Sequence, residues 1–484
     1  MVHALADEPR HSLEPITNRM HRLALLIALL GSLSAPIVGQ RPNILFVYLD
    51  DFGWRDTSYM GSDFYETPHI DALAKKGLVF TNAYSCAANC APARACLLSG
   101  QYTPRHHVFN VGTRPRGKAE HRRLAHIEGT KTLRADIVTW AESLQETGYR
   151  TGMFGKWHLG TKPTKQGFDV AVDYRMPGFR GHLGKDGSYL TDVLTDRTIE
   201  FITEEKDGPW CAYLAHIAVH TPLQAKADLL AKYKEKQPGK LHNHVVMATM
   251  IQAVDDGVGR IVEALKKSGQ ADNTVIIFTS DNGGYGPATD MDPLWGYKGN
   301  YYEGGIRVPF FVHWPDVVEP GESSEPIIGV DIYPTLVELA GAALPEKQPL
   351  DGRSLVPLWK GDTQTLGDRA IFWHFPAYLQ SYKQTNEQRD LLFRTRPCSI
   401  IRRGRYKLHE NLEDGVLELY DLENDIRERN NLATSMPGQR DAMLADLRKW
   451  RQSIGAPIPE PSSAFDADRH RQAQTKARQK TAPK

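Results

Sequence analysis

The chain has 484 residues, with 59 Lys and Arg against 58 Asp and Glu, a formal net charge of +1. That balance excludes a global electrostatic pull toward nucleic acid or a membrane surface. The length allows a large α/β domain plus a smaller unit, with ample core.

The N-terminus departs from this average. "HRLALLIALLGSLSAPIVGQ" has basic residues, an apolar run from Leu23 to Leu33, then small residues. The run is too short to span a bilayer comfortably and reads as a secretory signal over residues 1–39, with cleavage after Gly39. The stretch before it contains acids, unusual for a signal, and Met20 is read as an alternative start. No second segment reads as transmembrane, so the expectation is export to a periplasm, cell surface or extracellular space with no membrane span after cleavage. There the five cysteines (Cys86, Cys90, Cys96, Cys211 and Cys398) can form one or two disulfides, leaving at least one unpaired. The pairing is open.

From residue 40 to 366, apolar β-rich runs alternate with helical patterns, which predicts a large, mostly parallel sheet sandwiched by helices. "NILFVYL" (Asn43–Leu49), "YRTGMF", "WCAYLAHIAV" (Trp210–Val219) and "TVIIFTS" (Thr274–Ser280) are its predicted strands. "NCAPARACLLSG" reads as a short helix with Pro92 at a first helical position, Cys90 at its N-terminus and Gly100 at its end, while "ADIVTWAESLQETG" and "MATMIQAVDDGVGRIVEALKKSG" have helical spacing and end on glycine. Residues 367–455 change texture, with short strands "SIIRRGRYKLHE" and "GVLELYDLE" before the helix "RDAMLADLRKWRQSIG". This predicts a small antiparallel subdomain plus helix. The basic tail, 456–484, is rich in Pro, Ala, Gln, Lys and Arg and is expected to be disordered.

The chemistry-bearing residues lie at strand ends. "NILFVYL" runs into Asp50 and Asp51, and "TVIIFTS" runs into Asp281 and Asn282. Ligands of open parallel sheets sit at the carboxyl ends of strands, and four hard oxygen ligands suit Ca2+ or Mg2+ better than zinc. Each Asp alone reads equally as a turn cap. "GKWHLG" adds Lys156 and His158, "HTPL" adds His220, and a Gly- and aromatic-rich loop adds Lys298. Singly these are ordinary solvated or core residues, and Cys90 alone is a small buried hydrophobe. Together with Arg94 and the N-terminus of the Cys90 helix, they make a cationic cradle for a multiply charged oxyanion, the chemistry of sulfate or phosphate ester cleavage.

"CAPAR" (Cys90–Arg94) resembles the C-x-P-[SA]-R signature of the type I sulfatases. "RPNILFVYLDD", "TGYRTGMFGKWHLG", "HTPL", "TSDNGG", "YYEGGIRVPF", "VDIYPTLVELAG" and "LDGRSLVPL" are similar to that family's other landmarks, in its order, over residues 41–435. Ala93 stands where Ser is common, and Ser99 where Thr is usual. The resemblance implies an alkaline-phosphatase-like fold and a formylglycine made from Cys90 by a separate maturation enzyme. It implies one Ca2+ held by Asp50, Asp51, Asp281 and Asn282, with position 90 as a further ligand. Arg94, Lys156 and His158 would steady the formylglycine, while His220 and Lys298 would grip the sulfate and assist departure of the alcohol. An aldehyde hydrate has two hydroxyls, one to attack sulfur and one whose deprotonation expels sulfate.

A phosphate or phosphonate ester hydrolase of the same superfamily is the nearest alternative, and a non-catalytic binder of sulfated glycans is a third. The C-terminal "RPCSIIRRGRYKLHE…LELYDLENDIRERNNLA" resembles carbohydrate-directed bacterial arylsulfatases, which points to sulfated polysaccharides or oligosaccharides over simple aryl sulfates. The His-, Arg- and aromatic-rich segments at 106–118 and 371–390 single out His374 and Arg114 as expected substrate contacts.

Overall fold

The computed structural model describes residues 41–205, 207–382 and 389–481, so the signal-peptide reading of residues 1–39 lies outside the described residues. Eight strands form the main sheet: β1 (Asn43–Leu49), β2 (Leu78–Phe80), β3 (Arg150–Gly155), β4 (Val170–Asp173), β5 (Trp210–Ala215), β6 (Thr274–Ser280), β7 (Phe310–His313) and β8 (Gly321–Ser323). Their spatial order is β8-β2-β7-β6-β1-β5-β3-β4. The run from β6 to β4 is parallel, and β7 is antiparallel to both its neighbours. The expected mixed, mostly parallel sheet is therefore observed.

Strand β1 shows why this sequence makes a two-faced sheet. Ile44, Phe46 and Tyr48 enter one apolar core, while Leu45, Val47 and Leu49 enter the core on the opposite face. Alternation of this kind, with every residue buried, belongs to a central parallel strand covered on both sides. Each such side chain contributes roughly 1.5–3 kcal/mol. The covering helices include α1 (Pro68–Lys75), α2 (Cys90–Ser99), α3 (Trp140–Gln145), α4 (Leu190–Thr203), α5 (Val245–Lys267) and α6 (Ile332–Ala340). Thr139 and Glu142 form a reciprocal capping box that starts α3.

The predicted third strand is shorter than expected. β5 ends at Ala215, and the chain returns at Ala218 and Val219 to exchange backbone hydrogen bonds with Asp50. This detour frees His220 to stand beside the carboxyl end of β1.

The C-terminal region carries β9 (Ala370–Phe375), β10 (Cys398–Arg403), β11 (Tyr406–Asn411) and β12 (Leu417–Asp421) as an antiparallel sheet, followed by helix α7 (Pro437–Ser453). It does not stand apart from the nucleophile segment. Trp373, Phe375 and Ile400 share one core with Tyr84, Cys86, Ala88 and Cys96, and Trp373 Nε1 donates to Ser85 O at 2.8 Å.

The tail corrects an expectation. Residues 467–481 form helix α8 (Ala467–Thr481) instead of disordered chain. Its approach is tied down by Ala125 N donating to Glu460 O at 2.7 Å, and Gln474 Nε2 donates to Asp390 Oδ1 at 2.6 Å. Composition alone missed these tertiary hydrogen bonds, which order a segment poor in apolar side chains. Among the described residues, no helix is long and apolar enough to cross a membrane.

Candidate active site

Helix α2 presents Cys90 at its first position, and all ten of its residues are buried. Gly100 closes it at φ 67°, its N–H donating to Cys96 O, a left-handed geometry that glycine adopts at no steric penalty. Asn89 does not cap the helix with its side chain; it donates to Asn110 Oδ1 at 2.8 Å. Pro92 has no N–H and Ala93 N–H goes to Asn89 O, so the Cys90 and Ala91 N–H groups and the helix dipole favour an anion at this end.

The ends of β1 and β6 meet in front of this helix. Asp51, at φ 61°, donates its N–H to Asp281 Oδ1 at 3.2 Å, and Asn282 Nδ2 donates to Asp51 Oδ1 at 2.9 Å. Arg94 sends Nε and Nη2 to Asp281 Oδ2 at 3.0 and 2.9 Å, and Nη1 to Lys156 O at 2.8 Å. Lys156 Nζ is bonded to Asp50 Oδ2, and Lys298 Nζ lies 2.7 Å from Asp51 Oδ2. His220 Nε2 is 3.7 Å from Asp51 Oδ2, while its Nδ1 donates to Thr221 O at 2.7 Å. His182, which sequence reasoning did not single out, donates Nε2–H to His220 O at 2.8 Å and so fixes that segment.

The electrostatics follow from this crowding. Burial raises the Asp50 carboxyl, but Lys156, His220, Arg94 and Lys298 outweigh it and hold it well below the ordinary carboxylate range. Burial disfavours an imidazolium at His220, yet Asp50 and Asp51 win and raise it to about 9. Burial and the Asp50 charge push the Cys90 thiol up, while Lys156, Lys298 and a hydrogen bond from His220 bring it below its usual value. His158 is pulled down to about 3 by burial, with Lys156 and Arg94 adding to the effect. Four cationic groups thus converge where the chain supplies three carboxyl groups, a surplus suited to an anionic substrate.

A divalent cation fits these residues. Asp50 Oδ1 and Asn282 Oδ1 are buried oxygens with no hydrogen-bond partner, and ligand atoms of Asp50, Asp51, Cys90 and His220 lie within 4.8 Å of one another. Orphaned buried oxygens are costly unless something positive meets them, and a mostly oxygen donor set suits Ca2+ or Mg2+.

Two expected substrate contacts fare differently. His374 is buried, with Nε2 donating to Pro457 O at 2.9 Å and Nδ1 at 2.8 Å from the Ser399 hydroxyl. Both ring nitrogens are spent inside the C-terminal sheet, so His374 is a structural residue and not a substrate contact. Arg114 is exposed on the loop after Asn110, and the structure gives it no contact with the convergent residues. All five cysteines are free and buried, so no disulfide joins them. Cys96 Sγ lies 3.3 Å from His106 Nε2 and faces Cys86.

Sequence reasoning also missed a buried ion network beneath the Lys298 loop. Glu303 binds Lys407 at 2.9 Å and Arg307 at 3.2 Å, and Lys407 also meets Glu428 at 3.0 Å. Its local signal was the pair Glu303 and Arg307, four residues apart inside the otherwise apolar and glycine-rich "YYEGGIRVPF".

An open α/β sheet with carboxylates, an amide oxygen and cations gathered at its carboxyl edge, facing a nucleophile on a helix N-terminus, defines an ester hydrolase of the alkaline-phosphatase-like superfamily. The sulfatase family model matches residues 42–342, and the model for the C-terminal region of N-sulphoglucosamine sulphohydrolase matches residues 294–451. A protein named sulfatase from Formosa agariphila is 32% identical over 91% of this chain and 96% of its own length. N-acetylgalactosamine-6-sulfatase of Homo sapiens is 29% identical over 73% of this chain and 75% of its own. The solved structure of Ps i-CgsB superposes with a TM-score of 0.72 at 30% identity, covering 92% of this chain and 98% of that one. The same protein has also been solved with k-i-k-neocarrahexaose. The chain belongs to the sulfatase family, and it is a sulfuric ester hydrolase similar to bacterial carbohydrate sulfatases.

Proposed function

We propose that this chain is an exported carbohydrate sulfatase whose Cys90 is converted to formylglycine by a separate maturation enzyme. In this reading Asp50, Asp51, Asp281 and Asn282 hold one Ca2+. The observation that carries it is the pair of orphaned buried oxygens, Asp50 Oδ1 and Asn282 Oδ1, beside a helix-N-terminal Cys90 ringed by cations. Bound Ca2+ would supply fixed positive charge for a sulfate oxygen, and a hydrated aldehyde at position 90 would supply the oxygen nucleophile.

The remaining work falls to side chains. Lys298 and His220 receive the sulfate oxygens as the S–O bond to the alcohol lengthens. His220, whose Nε2 stands 3.7 Å from Asp51 Oδ2, donates a proton to the departing alkoxide oxygen. Arg94 and Lys156 hold Asp281 and Asp50 in register, so the oxygen-lined cleft need not reorganise during reaction. His158, kept neutral, can accept a hydrogen bond from a hydroxyl at position 90. Arg94 also steadies that position.

The carbohydrate assignment draws support from the likeness to Ps i-CgsB and to N-acetylgalactosamine-6-sulfatase. The export assignment draws on the basic-apolar-small pattern of the N-terminus. The test is side-by-side turnover of an aryl sulfate and an aryl phosphate by protein co-expressed with the maturation enzyme, with peptide mass spectrometry at position 90. Sulfate turnover with an aldehyde at 90 is expected; faster phosphate turnover, or a wholly unmodified thiol in active protein, overturns the reading.

A further inference from the structure

One guanidinium beside the Lys298 loop lacks the partner that its neighbours have. Arg389 pairs with Asp414 and Glu418, and Arg396 pairs with Glu413. Arg394, between them in sequence, has no carboxylate within ion-pair distance among the described residues. Its Nη1 donates to Gln380 O at 3.1 Å, while its Nε is buried with no partner.

Its position is tied to the catalytic cleft by three links. A Cβ on Gly299, the residue after Lys298, would stand 2.2 Å from Arg394 Nε, so the guanidinium lies directly against that backbone. Gly299 in turn donates its N–H to Ala88 O at 2.7 Å, two residues before Cys90. The Arg394 guanidinium carbon sits 4.3 Å from the ring of Tyr382, whose hydroxyl donates to Lys298 O at 3.2 Å and whose side chain is 39% exposed.

A second cation comes from the loop that begins at Asn110, itself bonded to Asn89. A Cβ on Gly117 would stand 2.4 Å from the Phe393 ring, which sets Arg116 against the strand carrying Arg394. Arg116 is exposed, holds only Val111 O at 3.0 Å, and has no carboxylate partner among the described residues. Its charge and that of Asp51 act on Arg394 in opposite senses. Asp51 is already paired with Lys298, so an incoming anion would be the first carboxylate or sulfate partner that Arg394 meets directly.

We infer that Arg394, backed by Arg116 and flanked by Tyr382, forms a second anion subsite on the rim of the cleft, selecting sugars with another sulfate or a carboxylate beside the scissile sulfate. The inference rests on the sulfatase reading of the central site. The Nε side is packed on Gly299, which leaves the Nη end of the guanidinium to meet the oxygens of a carboxylate or sulfate, with the half-exposed Tyr382 bordering the same rim. Arg394 acts on selection and not on the reacting atoms.

The test uses the mature enzyme and three sulfated disaccharides that share one scissile sulfate. One carries no other anion, one a second sulfate, and one a uronic carboxylate. Specificity constants are measured where a disaccharide is cleaved, and inhibition constants against 4-nitrophenyl sulfate where it is not. The wild type is expected to favour a doubly anionic ligand, and Arg394→Gln to lower that preference roughly tenfold or more, the size of one charge-assisted hydrogen bond. Arg394→Lys should restore part of it. Loss on the second-sulfate arm alone, or on the carboxylate arm alone, identifies which anion the subsite takes. A wild type that favours the singly charged ligand overturns the proposal, as does an Arg394→Gln variant that weakens all three ligands equally. Failure of the wild type to hydrolyse 4-nitrophenyl sulfate with an aldehyde at position 90 would instead count against the central-site reading.

Discussion

Lys407 Nζ lies 2.9 Å from Glu303 Oε1, and both side chains are fully buried although the residues come from the C-terminal sheet and the Lys298 loop respectively. Glu428, bonded to the Glu303 N–H at 2.6 Å and to Lys407, closes the network. Burial raises the Glu303 carboxyl, but Lys407, Arg307 and Arg402 outweigh it and bring it to about 2. The C-terminal sheet therefore holds the catalytic loop through charge as well as through the shared core around Trp373.

Lys407→Met leaves Glu303 and Glu428 buried without their shared cation. The expected loss is about 3–5 kcal/mol, as for other broken buried pairs, read from the midpoint of urea unfolding at constant slope. A change under about 1 kcal/mol would mean that Arg307 and Arg402 carry the Glu303 charge unaided.

Lys298→Ala removes a cation from the site while leaving helix α2 and the sheet intact. Turnover of an aryl sulfate should fall about 10²–10³-fold, the effect of losing one transition-state charge donor, with a smaller change in KM. An equal rise in KM at constant kcat would reassign Lys298 to ground-state binding.

Acid should destabilise the fold through buried neutral histidines. His106 and His216 are held down to about 3 and His374 to about 4, each chiefly by burial. A histidine with a depressed folded pKa binds fewer protons folded than unfolded, so its contribution is fully present above its ordinary value of 6.5 and is lost as the pH falls from there toward 4. Thermal unfolding followed across that window should show Tm dropping with acid. His374→Gln, which keeps a donor toward Pro457, should flatten the slope by about one proton.

Metal binding should appear as stability. Ligand at a hundredfold excess over Kd stabilises by about 2.7 kcal/mol. Purified protein stripped with EGTA should melt lower than protein with added Ca2+, and Asn282→Ala or Asp50→Asn should blunt the difference. Identical melting with and without Ca2+ would exclude tight binding at these oxygens.

Much of the site was legible because its residues follow local patterns. Buried strands ending in Asp50–Asp51 and Asp281–Asn282, and a Pro- and Gly-delimited helix opening at Cys90, are statements about neighbours in the chain. Period and punctuation carry such information directly. His374 was misread for the opposite reason: an aromatic- and basic-rich run resembles a ligand loop, yet its imidazole lies inside a strand pair with Ser399 and Pro457 as partners.

The amino-acid sequence by itself determined the parallel sheet, the nucleophile helix and the set of oxygen and cation donors, since these depend on burial periodicity and turn chemistry along the backbone. Only the tertiary structure decided which charges meet. Lys407 reaches Glu303, Arg394 packs on Gly299 with no ion-pair partner among the described residues, and the tail helix docks on Asp390 because Coulomb and hydrogen-bond energies depend on distance through space. Separation along the chain does not encode that distance.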